Sequence, residues 1–226
     1  MTTRTYRSKT ELTIQGDGSV VSMREKEKKF KRQLIADAAY GLLSEKPYES
    51  VTVDDIARAA GCGKGTLYQY FENKDHILAY LVSRDLEKLC MKLKEKCISN
   101  PDIQEAIFQY LLLQYYFYLD NQIFSSWLRV SLGETVRPEW AQEVLEQREN
   151  KIKMVAQLLD RGVQEKALIE VDALQLARLM ENIFRDITYS LLDKKPDEEE
   201  VERLLELVKK VIGNGIFLNR AFDGRQ

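Results

Sequence analysis

Thr52-Val-Asp-Asp-Ile-Ala-Arg-Ala-Ala-Gly-Cys-Gly-Lys-Gly-Thr-Leu-Tyr-Gln-Tyr-Phe-Glu-Asn-Lys-Asp75 is the stretch that decides the fold. Ile56, Ala57 and Ala60 recur at helical spacing and give a first short helix an apolar face. Thr52 and Asp55, three residues apart, form a capping pair at its start. Gly61 ends it, because a residue without Cβ enters the left-handed region at little cost. A small residue at Ala57, four before the glycine, lets a second helix approach closely. Cys62, Leu67 and Phe71 supply the apolar side of that second helix. Its other side offers Lys64, Gly65, Thr66, Tyr68, Gln69 and Tyr70. Two short helices around a glycine turn, the second rich in exposed donors, are the pattern of a helix-turn-helix.

Donor chemistry divides these residues by task. Gln69 can bridge an adenine edge with two hydrogen bonds, and Lys64 can reach a guanine or a phosphate. Thr66, Tyr68 and Tyr70 suit phosphate oxygens, which set register without reading sequence; for Tyr68 a core-facing placement is equally open. Gly65 allows close approach of backbone to a duplex. Thr52 and Lys74, each at a helix start, are placed to meet further phosphates.

From about Lys28 to Leu81 the chain resembles the DNA-binding domain of the TetR family of transcriptional regulators. Ile35-Ala36-Asp37-Ala38-Ala39 with Leu42-Leu43 matches the family's first helix, and Tyr48 the aromatic before the second. Gly65-Thr66-Leu67-Tyr68-Gln69-Tyr70-Phe71 followed by Asn73-Lys74 is similar to its recognition helix and the opening of helix four. Gly63 stands where a serine cap is usual and Pro47 where a glycine is usual, which predicts a weaker cap and a stiffer loop. The resemblance covers roughly a quarter of the chain.

The 226 residues carry a net charge of −2, unevenly distributed. Residues 1–74 hold 13 Lys and Arg against 10 Asp and Glu; the remainder holds 21 against 26. The basic excess therefore lies with the motif, and Lys26, Lys28, Lys29, Lys31 and Arg32 crowd the start of helix one, enough for local counterion release. No run of 18 apolar residues and no signal-peptide pattern is found, so the expectation is a cytoplasmic protein with reduced thiols. Cys62, Cys90 and Cys97 lie too far apart along helical patterns for the latter two to pair, and Cys62 could disturb the motif if oxidised. With His76 as the single histidine, neither a metal site nor a catalytic constellation is expected, and no cofactor.

Residues 1–22 are polar, with Gly16-Asp17-Gly18 between two short apolar stretches. A small hairpin is conceivable there, but a disordered tail is the expectation, with 23–73 the DNA-binding domain and 74–226 a helical domain. Translation starting at Met23 and a basic arm through Arg4, Arg7 and Lys9 are further readings. Helices are predicted at 74–97, from Pro101, at 121–133 and 138–166, from Asp172 to 192, and from Pro196 onward. No stretch alternates long enough for a strand. The expected fold class is all-α: an N-terminal three-helix helix-turn-helix domain and a C-terminal helical domain for ligand binding and dimerisation.

The helix from Pro101 is apolar nearly all round through Phe108, Tyr110, Leu111 and Tyr115 to Leu119, so neighbours must bury it. Ordinary core explains this. The family resemblance adds a ligand pocket between the middle helices, with Phe108, Leu111, Tyr115, Tyr118, Phe124, Trp127, Met154, Leu158 and Phe184 as candidate lining and a small apolar or aromatic effector as its occupant. Leu176, Leu179, Met180, Ile183 and Ile187, and then Val201, Leu205, Val208 and Ile212, repeat at i+3/i+4 spacing. As in the family generally, these would form a homodimer's four-helix bundle; packing within one subunit is the alternative. The implied function is a ligand-responsive repressor binding a palindromic double-stranded operator as a dimer. A ligand-independent DNA-binding scaffold of the same fold is the alternative.

Overall fold

The structure, a computed structural model, describes residues 12–14, 20–119, 121–131, 138–191, 199, 202–203, 206–207, 210–211 and 215–216. It divides into two compact units, Met1–Lys74 and Asp75–Gln226. Among the described residues the regular structure is helical apart from one small hairpin.

In the N-terminal unit, β1 (Leu12–Ile14) and β2 (Val20–Ser22) pair antiparallel, with Thr13 opposite Val21. Their pairing corresponds to the hairpin that flanks Gly16-Asp17-Gly18, and it corrects the expectation of no strand. The alternation in these three-residue strands is too short to be read from sequence. α1 (Met23–Glu45) follows directly. Its Ile35, Ala36, Ala39 and Leu43 are buried. A single 3-10 turn, Tyr48–Ser50, leads through Val51 into α2 (Val53–Ala59) and α3 (Lys64–Tyr68). Ile56, Ala57, Leu67 and Phe71 join the four from α1, with Tyr48 and Val51, in the apolar core of this unit.

α4 (Lys74–Leu93) begins at the last residue of this unit and runs on into the next. Its predicted extension to residue 97 is a single wider turn, Lys94–Ile98, in which Ser99 N bonds Lys94 O. In the C-terminal unit α5 (Ile103–Leu119) starts where Asp102 accepts the amides of Gln104 and Glu105. α6 (Gln122–Ser131) is capped by Asn121, and α8 (Ala173–Leu191) by Asp172. These are the positions at which Asx side chains satisfy otherwise orphaned N–H groups.

α7 (Pro138–Gln164) ends two residues before the predicted 166. Lys166 takes the left-handed conformation (φ 56°), and the amides of Ala167 and Leu168 turn back onto Gly162 O. This Schellman-like closure needs no glycine at the left-handed position, so the sequence carries no stop signal there. α5 packs against α6, α7 and α8, while α7 and α8 pack along each other. Tyr110, Leu111, Tyr118, Phe124, Leu158, Leu159 and Phe184 form the centre of this unit. Among the described residues no helix is long and apolar enough to cross a membrane.

Candidate functional site

The N-terminal unit presents its helix-turn-helix by three devices. Thr52 Oγ1 accepts the Asp55 amide at 3.2 Å and the Thr52 amide donates to Asp55 Oδ2 at 3.1 Å, a reciprocal capping box. The Thr52 hydroxyl, which donates to the same carboxylate, and the Thr52 amide together hold Asp55 below the usual carboxylate range. Gly61 takes φ +64°, and Cys62 N closes the turn onto Ala57 O at 3.0 Å. Leu67 and Phe71, almost fully buried, fix the inward side of α3. Gly63 caps α3 with no side-chain bond, as its departure from serine predicts.

With its inner side fixed, α3 turns the remaining residues outward. Lys64, Gly65 and Gln69 are exposed, and Thr66 and Tyr70 are half-buried. Tyr68 is 47 % exposed, the outward one of its two readings. Lys64 Nζ meets the Asp54 carboxylate at 3.0 Å, which raises its pKa. The pair is exposed, so a phosphate can compete for the lysine.

Two residues are placed otherwise than expected. Lys74 Nζ donates to the carbonyls of Tyr48 and Val51 at 2.7 and 2.8 Å and lies 4.0 Å from the centre of the Tyr48 ring. Its ammonium ties the loop before α2 to the start of α4, leaving at most one donor for other work. The Thr52 hydroxyl is engaged by the capping box and also donates to Asp55 Oδ2 at 2.6 Å. Both therefore have structural tasks.

The sequence could not show that α1 joins the same surface. Arg24, Glu27, Lys28 and Lys31 line a groove of about 330 Å³ together with Gln69 and Tyr70. Lys28 and Lys31 belong to the basic cluster noted above; Arg24, one turn earlier, was missed, because only the tertiary fold brings it beside α3. Arg32 lies over the Phe71 ring at 5.3 Å.

In the C-terminal unit, a cavity of about 190 Å³ is lined from α4, α5, α6, α7 and α8. Tyr118, Phe124 and Trp127 line it, three of the nine residues proposed from sequence. Leu111, Leu158 and Phe184 are buried core, and Phe108, Tyr115 and Met154 are partly exposed without bordering the cavity. The lining includes instead Leu86, Leu128, Val144, Arg148, Glu181 and Arg185.

Beneath the cavity lies a buried polar network that was not anticipated. Lys151 and Glu181 have side chains 1 % exposed, with Nζ 2.7 Å from Oε2. Glu181 Oε2 also accepts Gln114 Nε2 at 3.2 Å; its Oε1 accepts the Tyr118 hydroxyl and Arg148 Nε, the latter at 3.3 Å. Lys151 donates further to Gln114 Oε1 and to the Tyr118 oxygen, and Gln114 donates to Tyr110. Burial acts to raise the Glu181 pKa, but Lys151, Tyr118 and Arg148 outweigh it and hold the carboxyl low. Burial lowers that of Lys151 despite Glu181. A signal did exist in the sequence. Gln114 follows Tyr110 and Leu111, Lys151 falls between Val144 and Val155, and Glu181 between Ala177 and Phe184, so each polar residue interrupts an apolar helical stripe.

Of the proposed dimer residues, Met180 is buried within the unit, Leu176, Ile183 and Ile187 are half-buried, and Leu179 is 57 % exposed. Val201, Leu205, Val208 and Ile212 lie outside the described residues.

The helix-turn-helix geometry agrees with comparisons to known proteins. The family model of the bacterial regulatory proteins, tetR family, matches residues 35–81, the segment that holds α2, α3 and their capping devices. These residues carry the DNA-binding domain of the TetR family. HTH-type transcriptional regulators of Staphylococcus aureus are 32 % identical over 100 residues, 43 % of this chain and 52 % of theirs, so the chain spans about half the length of the curated relatives it matches. Among solved structures, a TetR-family transcriptional regulator from Pectobacterium atrosepticum superposes with a TM-score of 0.73 at 17 % identity, covering 86 % of this chain and 97 % of that one. A regulator from Saccharomonospora viridis in complex with choline gives 0.69 at 19 %, covering 84 % and 100 %. The transcriptional regulator FadR from Bacillus subtilis in complex with stearoyl-CoA gives 0.64 at 20 %, covering 81 % and 98 %. At these identities the likeness is one of fold.

Proposed function

We propose that this TetR-family chain is a sequence-specific DNA-binding transcriptional regulator, acting as a ligand-responsive repressor on a palindromic operator as a homodimer. The observation that carries the reading is the outward side of α3, with Gln69 and Tyr70 opening onto the basic groove of Arg24, Lys28 and Lys31. Gln69 and Lys64 read base edges; Thr66, Tyr68, Tyr70 and the α1 cations hold phosphates. The TetR-family match over residues 35–81 and the regulatory role named for the Staphylococcus aureus relatives support it.

The effector part of the reading rests on the cavity among Tyr118, Phe124 and Trp127. Two structures of like fold hold small molecules, which supports a ligand here too. α4 is the covalent path from the cavity wall at Leu86 to Lys74. An effector acts only so far as it binds one state of the chain better than the other. A palindromic operator requires two recognition helices about 34 Å apart, one turn of DNA, or a multiple of it, and dimerisation through α8 and the segment after it is the proposed means.

Fluorescence anisotropy with the DNA upstream of the chain's own gene, against a shuffled fragment of equal length at two salt concentrations, tests the DNA reading. A preference that survives the higher salt is expected; equal binding lost with salt would refute sequence reading at that site. Leu205→Glu with Ile183→Glu is expected to give a monomer with weakened operator binding. A stable dimer by light scattering would refute the proposed interface.

A further inference from the structure

We infer that the effector of this chain is an amphipathic anion, with an apolar body in the cavity and a carboxylate or like group held by Arg148 and Arg185. The inference rests on the proposed effector cavity and adds the charge of its occupant. Phe124, Trp127, Leu128 and Leu86 make one end of the cavity apolar. Arg148 and Arg185 line both this cavity and an adjoining open groove of about 550 Å³ between α7 and α8, so the guanidinium groups stand at the junction of the two. Leu145 is shared in the same way.

Charge accounting selects an anion over a cation. Glu181 is the carboxylate that borders the cavity, and its two oxygens already accept four donors: Lys151, Gln114, Tyr118 and Arg148. A carboxylate has about four lone-pair sites, so none is left for an ammonium ligand. Against that single negative charge stand Lys151, Arg148 and Arg185. Arg148 uses Nε on Glu181 and one terminal nitrogen on Asn182 at 3.1 Å; among the described residues its Nη1 has no partner. Among the described residues Arg185 meets Asp186, at 3.9 Å and on the solvent side, where Asp186 is 74 % exposed. In the groove Glu149 is paired with Arg178 at 2.9 Å, while Glu146 accepts Gln142 and keeps its charge, so across cavity and groove Lys151, Arg148, Arg185 and Arg178 stand against Glu181, Glu149 and Glu146. Planar guanidinium donors beside an apolar wall are the chemistry that receives a carboxylate or phosphate.

The test uses the full chain carrying Trp140→Phe, so that Trp127 in the cavity wall is the one remaining tryptophan. Decanoate, 1-decanol and decylammonium, all below their micellar concentrations, are titrated without DNA while Trp127 fluorescence is followed. Decanoate is expected to bind at least ~10-fold more tightly than the other two, the scale of one charge-assisted hydrogen bond. Arg185→Gln, which breaks no buried pair, is expected to weaken decanoate by ~10-fold and leave decanol unchanged. Equal or tighter binding of decanol or decylammonium, or an unaltered decanoate affinity in Arg185→Gln, overturns the anion assignment and leaves the cavity as a ligand site. Failure of all three probes to bind overturns both. Neither outcome touches the DNA reading, which the anisotropy assay decides separately.

Discussion

Glu181→Gln keeps the shape of the buried side chain and removes its charge. The change leaves the Lys151 ammonium, 1 % exposed, without its counter-ion and with Arg148 as a cationic neighbour. Breaking one partner out of a buried pair costs ~3–5 kcal/mol, because the surviving charge stays desolvated. Against a total stability of ~5–15 kcal/mol this is a large fraction. With a urea m-value of ~2–3 kcal/mol/M the midpoint falls by ~1–2 M. Both tryptophans, Trp127 and Trp140, lie in the C-terminal unit, so their fluorescence follows the transition of the unit that holds the pair.

The pH dependence adds a second constraint. Lys151 is already lowered from 10.5 by burial, and Glu181 is its main opposing influence. In the variant its folded pKa falls further below the unfolded value, so between the two the unfolded chain binds the extra proton. Stability of the variant therefore rises with pH across that window, and the gap to the parent narrows between pH 7 and 9.5. On the acid side Glu181, held below 4.5 in the folded chain, stabilises the parent above that value and loses its effect as pH falls through its folded pKa. The gap narrows there too. Replacing both partners, Lys151→Met with Glu181→Leu, removes the desolvation cost along with the attraction and is expected to lie within ~1 kcal/mol of the parent. A cost below ~1 kcal/mol for Glu181→Gln at pH 7, or a gap that widens at pH 9.5, would refute the assignment of Lys151 and Glu181 as a charged pair.

Gln69→Ala should lower the preference for the operator over shuffled DNA by a discrimination of ~1–3 kcal/mol, whereas Lys28→Ala should weaken both fragments alike and reduce the salt slope by ~1; anisotropy titrations at several salt concentrations separate the two, and an unchanged preference in Gln69→Ala would remove it as a base reader. Gly162→Ala sets a Cβ 2.7 Å from Leu168 Cδ1 and 3.0 Å from Ile103 Cγ1, with Leu168 itself fully packed. The overpacking should cost ~1–3 kcal/mol in urea unfolding, and a neutral result would show that the α7 closure gives way. Cys97 is buried with its thiol pushed up to about 12 by desolvation. Iodoacetamide at pH 8 should label Cys62 well before Cys97 in the folded chain, read by peptide mass; equal rates would mean that the turn holding Cys97 opens readily.

The helix-turn-helix was legible because its signals are local: the Thr52–Asp55 pair, the Ala57–Gly61 spacing and the Leu67–Phe71 inward side all lie within twenty residues. Asn121 and Asp172 were equally legible as helix starts, since a cap is written in one residue, whereas the start expected at Pro101 lies at the Asp102 cap that follows it. The cavity beside Tyr118, Phe124 and Trp127 was not legible. An apolar helix such as α5 does not say which of its sides faces a void and which faces a neighbour, so Leu111 and Leu158 were indistinguishable from Tyr118 and Phe124. Lys74 and Thr52 show the same limit from the other direction. A donor at a helix start suits a phosphate, and whether nearby carbonyls or a capping box claim it first depends on the loop geometry around Tyr48 and Val51. The Gln114–Lys151–Glu181 interruptions of apolar stripes were visible, but their meaning needed three helices to be brought together.

The carboxylate of Glu181 on α8 is saturated by donors from α5 and α7, whereas Leu86, Leu128 and Val144 contribute only shape to the cavity wall. Structural integrity and chemical preference are thus assigned to different residues. Exchanges among hydrophobic side chains of similar size cost little in a packed interior, so successive apolar substitutions in the wall can carry a descendant lineage from one hydrocarbon skeleton to another. The polar anchor stays in place throughout, and the domain remains folded at each intermediate step.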